Sequence, residues 1–333
     1  MANLKLNQLA VPTFARIGVN GTAVTPEGLS PAEAEIKAPA GITPETGKSD
    51  PIAAGEFYDY LAQTGAAVQR ITGSSAEPVR IAAPADSASQ ISVNVPENGS
   101  LTVIAEYPAA KSASGMQLTL APYAKCKLVQ VFYGGEPIAQ THAEIAENAE
   151  FSLTQIWLSG VSAVSGITAE LTGRKAAFRA ELGYLLTGTD RLDINLEAIH
   201  KGKKTQSEIN VKGVLRDKAD KIFRGTIDFQ QGASGAKGAE REDVLLLDET
   251  VKNRTAPLIL CAEEDVEGTH GATIGRLDGQ ALFYLQSRGI PEETLRELMA
   301  QARLLSAVRT IGDAETERRI LHILGRDEDA PTA

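Results

Sequence analysis

Residues 192–198, LDINLEA, decide how the middle of this chain is read. Leu192, Ile194, Leu196 and Ala198 alternate with Asp193, Asn195 and Glu197. A side-chain period of two belongs to a β-strand with one face inward and one toward water. Runs of the same kind recur at 100–105, 127–132, 151–157, 207–214, 223–229 and 244–247. In the later half their centres lie roughly 15 to 19 residues apart, wider than the ~8 to 12 of hairpin-linked sandwiches. That spacing favours a wound sheet over a meander. No repeat of fixed period stands out, so periodicity leaves sandwich, barrel and solenoid open.

Outward from this β region, from about 78 to 261, the composition changes on both sides. Residues 25–51 are rich in Pro, Ala, Glu, Gly and Thr and read as an exposed loop. Residues 55–71 carry Phe57, Tyr60, Leu61, Thr64 and Val68 at helical spacings, which predicts a weak amphipathic helix. On the C-terminal side, Asp278 caps a predicted helix that Gly289 ends. Pro291 opens a second, with Leu295, Leu298, Met299, Ala302 and Leu305 on one stripe; Gly312 stops it and Asp313 caps a third carrying Ile320, Leu321 and Leu324. The expected division is 1–77, an N-terminal region with loop and short helix; 78–275, the β core; and 276–333, a helical subdomain.

With 333 residues and 43% hydrophobic content the chain can bury a sizeable core. A net charge of −10 argues against nucleic acid or an anionic membrane as partner, since both need clustered Lys and Arg. The N-terminus lacks the apolar core of a secretory signal, and no apolar run approaches the ~18 residues of a membrane span. Two cysteines, Cys126 and Cys261, are too few for a disulfide scaffold, so a reducing cytoplasm is the expected location.

Candidate chemistry concentrates in residues 263–290, EEDVEGTHGATIGRLDGQALFYLQSRGI. His270, flanked by small residues, is sterically open and is a good metal ligand or general base; the reading places it just beyond a buried strand, where regular backbone gives way to loop. Spacing alone favours a hydrogen-bonded structural histidine over either role. Cys261 lies nine residues upstream. It could join His270 at a metal, although a buried hydrophobic cysteine is the simpler account. Glu263, Glu264 and Asp265 form an acidic run whose adjacency does not make a working acid and base pair, and a solvated edge is the plainer reading. The stretch 232–238, GASGAKG, fails the phosphate-loop pattern because Lys237 is followed by glycine. Aromatic content of 5% speaks against the platforms of carbohydrate-active solenoids.

Three blocks in order carry a resemblance. HKGKKTQSEINVKGVLRDKADKIFRGTIDF (200–229) has a histidine followed by Thr-x-Ser and a "KGVL…DKA…FRG" run; LLLDETVKNRTAPLIL (245–260) follows; and DVEGTHGATIGRLDGQALFYLQSRGI (265–290) closes the set. Together they resemble the SufB/SufD family of iron–sulfur cluster assembly proteins, with the SufD branch the nearer. The resemblance implies a mainly β fold: a right-handed parallel β-helix core with a short N-terminal region and a C-terminal α-helical subdomain. It implies a non-catalytic subunit that pairs with a SufB-like chain and a SufC-like ATPase, the latter hydrolysing ATP. It further implies a transient iron–sulfur cluster at the subunit interface, to which His270 of the HGAT motif contributes, and no cofactor held tightly by this chain alone. Cys261, Glu264 and Asp265 are secondary candidates there, and Phe283, Tyr284, Arg288, Leu295, Leu298 and Met299 are candidates for ATPase docking. A homodimer is a further possible assembly. Many family members have Cys where this chain has Gly268, two residues before the motif histidine. The remaining readings are a β-helix carbohydrate-active enzyme and a structural binding module without a cluster role.

Overall fold

The computed structural model describes residues 3–12, 15–276, 283–284 and 286–325. In chain order the strands are β1 (Leu4–Leu6), β2 (Thr22–Val24), β3 (Ser30–Pro31), β4 (Glu35–Lys37) and β5 (Glu45–Thr46), followed by helix α1 (Glu56–Thr64). Next come β6 (Val68–Thr72), β7 (Val79–Ala82), β8 (Ser87–Val95), β9 (Ser100–Tyr107), β10 (Ala110–Leu120), β11 (Lys125–Phe132), β12 (Gly135–Ile145) and β13 (Glu150–Trp157). They continue with β14 (Ser162–Leu171), β15 (Ala177–Leu186), β16 (Arg191–His200), β17 (Gln206–Leu215), β18 (Asp220–Phe229), β19 (Ala236–Leu246), β20 (Lys252–Cys261) and β21 (Val266–Arg276). Helices α2 (Glu292–Val308) and α3 (Ala314–Ile323) follow.

From β6 on, alternate strands fall into two sheets. The even sheet runs β20-β18-β16-β14-β12-β10-β8-β6-β5 and the odd sheet β21-β19-β17-β15-β13-β11-β9-β7-β4. Every pairing between successive rungs from β6 to β21 is parallel. The chain is therefore a parallel β-solenoid, the outcome that periodicity left open and the family resemblance selected. Parallel stacking aligns side chains in columns, and the enclosed columns hold the main core, including Leu128, Leu153, Ala180 and Ile209. Strand burial at this level follows the alternation: Leu192, Ile194, Leu196 and Ala198 all point inward. The opposite face is drier than the sequence pattern suggests. Asp193 and Asn195 are also buried, because the β1–β2 hairpin lies over them. Asn7 Nδ2 donates to Asp193 Oδ1 at 2.7 Å, Thr22 Oγ1 donates to Asp193 Oδ2, and Arg224, wholly buried, pairs with Asp193 while its Nε donates to the Val19 carbonyl.

The predicted helix over 55–71 is shorter than expected. It ends at Gly65, which takes a left-handed φ of 88°, and Val68 begins a strand instead. The β-branched Val68 and Ile71 are both buried in the sheet, so tertiary pairing overrides the helical spacing. Pro291 and Asp313 do stand at helix starts, and Asp313 Oδ2 accepts from the Thr316 N–H at 2.9 Å. The predicted cap Asp278 lies outside the described residues. The apolar stripe of α2 is rotated from the expected one: Leu295, Leu304, Ala307 and Val308 are buried, whereas Leu298 and Met299 are exposed. This face covers outward-pointing Ile104, Val129, Val131 and Ile156 of the odd sheet. Arg296 to Asp248 (2.6 Å), Arg80 to Asp313 (2.8 Å) and Arg319 to Glu106 (2.7 Å) fasten the helices along that sheet.

Candidate functional site

The solenoid ends at β20 and β21, and no described strand pairs with either outer edge. In a parallel ladder, a residue's N–H and C=O point to the same neighbour, and successive residues alternate sides. Lys252 N donates to Ala219 O and Ala262 N to Phe229 O, so even residues of β20 bond inward to β18 and odd ones face the free edge. Pro257 is one of these odd residues, which explains how a residue without an N–H sits mid-strand. The Asp265 carbonyl accepts from Gly235 N at 2.6 Å, so in β21 the odd residues face β19 and Gly268, His270, Ala272 and Ile274 offer their backbone groups to the free edge.

His270 therefore lies in the middle of β21, not in a loop beyond a strand as the sequence suggested. What looked like a break in regular structure is an edge strand that no described strand covers on its outer side, and its glycines and threonines read as loop. The His270 side chain is exposed and belongs to the inward-pointing set, one rung above Glu240, its register partner in β19. Cys261 ends β20 on the same lumen-facing set, above Phe229. Its thiol is exposed and donates to the Glu263 carbonyl at 3.1 Å. Glu264 and Asp265 sit in the bend joining the two strands, where Asp265 Oδ2 accepts from Ser234 Oγ at 2.8 Å. Among the described residues no three His, Cys, Asp or Glu side chains converge as a metal site, so the run 263–265 and His270 are not brought together into one. At Gly268 a Cβ would lie 3.0 Å from both Ile259 Cγ2 and Phe229 Cε2, so the lumen at this position is already filled. Of the docking candidates, Phe283, Tyr284, Arg288, Leu298 and Met299 are exposed, while Leu295 is 4% exposed and packs inward, unavailable to a partner.

Sequence reasoning missed what lies beneath the last rung. Lys221 and Glu242 form a fully buried ion pair, and Glu242 Oε2 also accepts from Thr255 Oγ1 at 2.8 Å. Glu240 is 4% exposed, and burial followed by repulsion from Glu242 pushes its carboxyl up to about 7, against the opposing pull of Lys221. Desolvation pulls Lys221 below its usual value, opposed chiefly by Glu242. The signal was present: Glu240 and Glu242 are in phase with Ala236 and Val244, and Lys221 with Phe223, all inward positions. The motif histidine of the first block proves structural. His200 is buried, with Nδ1 2.8 Å from Thr205 Oγ1 and Nε2 2.9 Å from Ser207 Oγ, and desolvation lowers it to about 4. The His-x4-Thr-x-Ser spacing thus supplies both ring partners. Cys126 is buried deep in the lumen, and burial pushes its thiol up to about 12, which leaves it unreactive.

These features define a class: a parallel β-solenoid whose closing rung is left open around one exposed histidine. Residues 79–303 match the family model described as SUF system FeS cluster assembly, SufBD core domain, and the chain belongs to that family. It is similar to the iron-sulfur cluster assembly protein SufD of Bacillus subtilis, 32% identical over 139 residues, 42% of this chain and 32% of that protein. It is similar also to SufD of Escherichia coli, 23% identical over 242 residues, 70% of this chain and 57% of that protein. An iron-sulfur cluster assembly SufBD family protein of Mycobacterium tuberculosis matches at 30% over 151 residues, 44% of this chain and 18% of that protein. The chain thus aligns with between about a fifth and somewhat over half of these relatives. No helix among the described residues is long and apolar enough to cross a membrane.

Proposed function

We propose that this chain is a SufD-like, non-catalytic subunit of an iron–sulfur assembly scaffold that works in the cytoplasm. It pairs through its open rung with a SufB-like chain and contributes His270 to a cluster built between them. The observation that carries this reading is the place of His270: exposed, mid-way along an edge strand whose outer side no described strand pairs with. A partner strand laid on β21 pairs with the backbone groups of that side by strand addition and brings its own side chains against the imidazole. Neutral imidazole nitrogen is a suitable iron ligand. One histidine cannot close a cluster's coordination, so a site on this edge is completed by the other chain, and the cluster is cargo rather than a resident cofactor. ATP hydrolysis belongs to a SufC-like partner seated on the exposed part of the C-terminal helices, around Phe283, Tyr284, Arg288, Leu298 and Met299.

Anaerobic co-expression with SufB-like and SufC-like partners, comparing the unmodified chain with His270→Ala, tests this. The complex should form in both, and the iron–sulfur absorption after reconstitution should fall severalfold in the variant. Equal absorption removes the ligand role, and failure to co-purify any partner removes the assembly role.

A further inference from the structure

Parallel register makes each lumen column a sequence of equivalent positions. One column reads Val103, Leu128, Leu153, Ala180, Ile209, Glu240, His270. It is hydrocarbon for five rungs and turns ionisable in the two at the mouth. A carboxyl in such a column is costly unless it has a hydrogen-bond partner, yet Glu240 takes none among the described residues. The adjacent Lys221 does not require it, because Glu242 already pairs with that ammonium and Thr255 accepts a further bond from it at 3.0 Å. Space is reserved for the surplus acid. A Cβ on Gly225, across the lumen, would lie 1.9 Å from Glu240 Oε2, so this glycine keeps the carboxyl's place open. Along the column Glu240 stands between Ile209 and His270, of which only His270 can make a hydrogen bond. Neighbouring strands lie about 4.8 Å apart, within reach of a carboxylate-to-imidazole hydrogen bond after a rotamer change of the Glu240 side chain.

We propose that Glu240 is the positioning residue of His270: its carboxylate accepts the hydrogen bond of one ring N–H, fixes the tautomer, and leaves the other nitrogen facing the open edge. Carboxylates hold metal-binding histidines in this way in many sites. The proposal deepens the reading of His270 as a ligand and rests on it for its purpose, but its test needs no cluster and no partner.

The full chain carries four histidines, so ring-¹⁵N spectra are simple, and His270→Ala assigns the signal. Glu240→Gln should shift the His270 Nδ1–H to Nε2–H population ratio by roughly fivefold, the ratio set by about 1 kcal/mol of hydrogen bond. Glu240→Asp, which keeps the charge but shortens the reach, should shift it in the same direction by less, and it serves as the second variant should Glu240→Gln fail to fold. If His270 keeps its spectrum in the folded variants and only the unfolding midpoint moves, Glu240 is a member of the Lys221 cluster alone and the proposal falls. If the spectrum responds but His270→Ala assembles clusters normally with its partners, the positioning stands and the ligand role falls.

Discussion

Replacing Lys221 with methionine isolates the buried ion pair under the last rung. Both side chains are essentially sealed from water, 0% for Lys221 and 1% for Glu242. Removing the ammonium leaves a carboxylate in a lumen walled by Phe223 and Val244, with Thr255 Oγ1 as its one remaining bonded partner. Breaking a buried pair from one side costs about 3–5 kcal/mol, because the surviving charge is uncompensated. The double variant Lys221→Met/Glu242→Leu removes that charge, and such apolar replacements run from neutral to stabilising. Thr255 then loses its acceptor, a cost of about 1 kcal/mol. The single variant should therefore be destabilised by about 4 kcal/mol and the double by about 1 kcal/mol or less. Urea unfolding followed by circular dichroism measures both, with Trp157, the sole tryptophan and a lumen residue, as an independent fluorescence probe. A single variant costing under about 1 kcal/mol, or a double no more stable than the single, would refute the uncompensated-charge argument.

Acid should weaken the fold through His200. Its folded value, about 4, lies below the ordinary 6.5, so the unfolded chain binds the proton more readily and stability falls as pH drops from about 6.5 toward 4, by up to about 3 kcal/mol. The test is the difference in urea midpoint between the unmodified chain and His200→Gln across that window; parallel pH profiles would contradict it. Leu304→Ala should cost about 2–4 kcal/mol, since the side chain is 1% exposed between α2 and the odd sheet, with a matching loss in the thermal or urea midpoint. A change within about 0.5 kcal/mol would mean that α2 does not rest on this contact.

Most of the solenoid was legible as strands, because the inward phase is written in Leu, Ile, Val and Phe, as at Leu192–Ala198. The wide spacing of the strands favoured a wound sheet over a meander, but a period of two says which face is buried and not which strand lies alongside, so sandwich, barrel and solenoid stayed open until the three ordered motif blocks selected the solenoid. The edge strand escaped detection for a related reason. With no described strand on its outer side, β21 carries mainly glycine, threonine and alanine between Val266 and Ile274, so His270 looked like a loop residue although its backbone is extended. Helix α2 was found from Pro291 and its period, but the wrong face was chosen. Leu298 and Met299 look more core-like than Ala300 and Ala307, yet the two alanines are buried, with Leu295, Leu304 and Val308, while Leu298 and Met299 are exposed. The ionic floor was missed because charged residues at strand positions are by habit assigned to water; phase, rather than polarity, would have placed Glu240, Glu242 and Lys221 inside.

The two ends of the solenoid are built by different rules. At the start, β4 and β5 pair antiparallel with β7 and β6, and α1 packs with the β1–β2 hairpin over the even sheet, so the first edges are closed by the chain itself. At the finish, no described strand pairs with the outer edges of β20 and β21. An open edge of that kind is a hazard for uncontrolled association, which chains usually blunt with charge, proline or a covering segment. Here the blunting is one-sided. Pro257 removes a donor from β20, and Leu9 and Val19 of the N-terminal segment pack with Ala256 on its outer face, whereas among the described residues β21 keeps an uninterrupted edge along Val266–Arg276. A strand joining this end finds a complete ladder only beside His270. The same asymmetry discourages endless stacking, because a ladder formed at β21 is not matched at β20. Among the described residues, the histidine, the outer edge of its strand and the ionisable floor beneath it therefore lie together at the end of the solenoid that no described strand covers, the end to which the proposed partner is assigned.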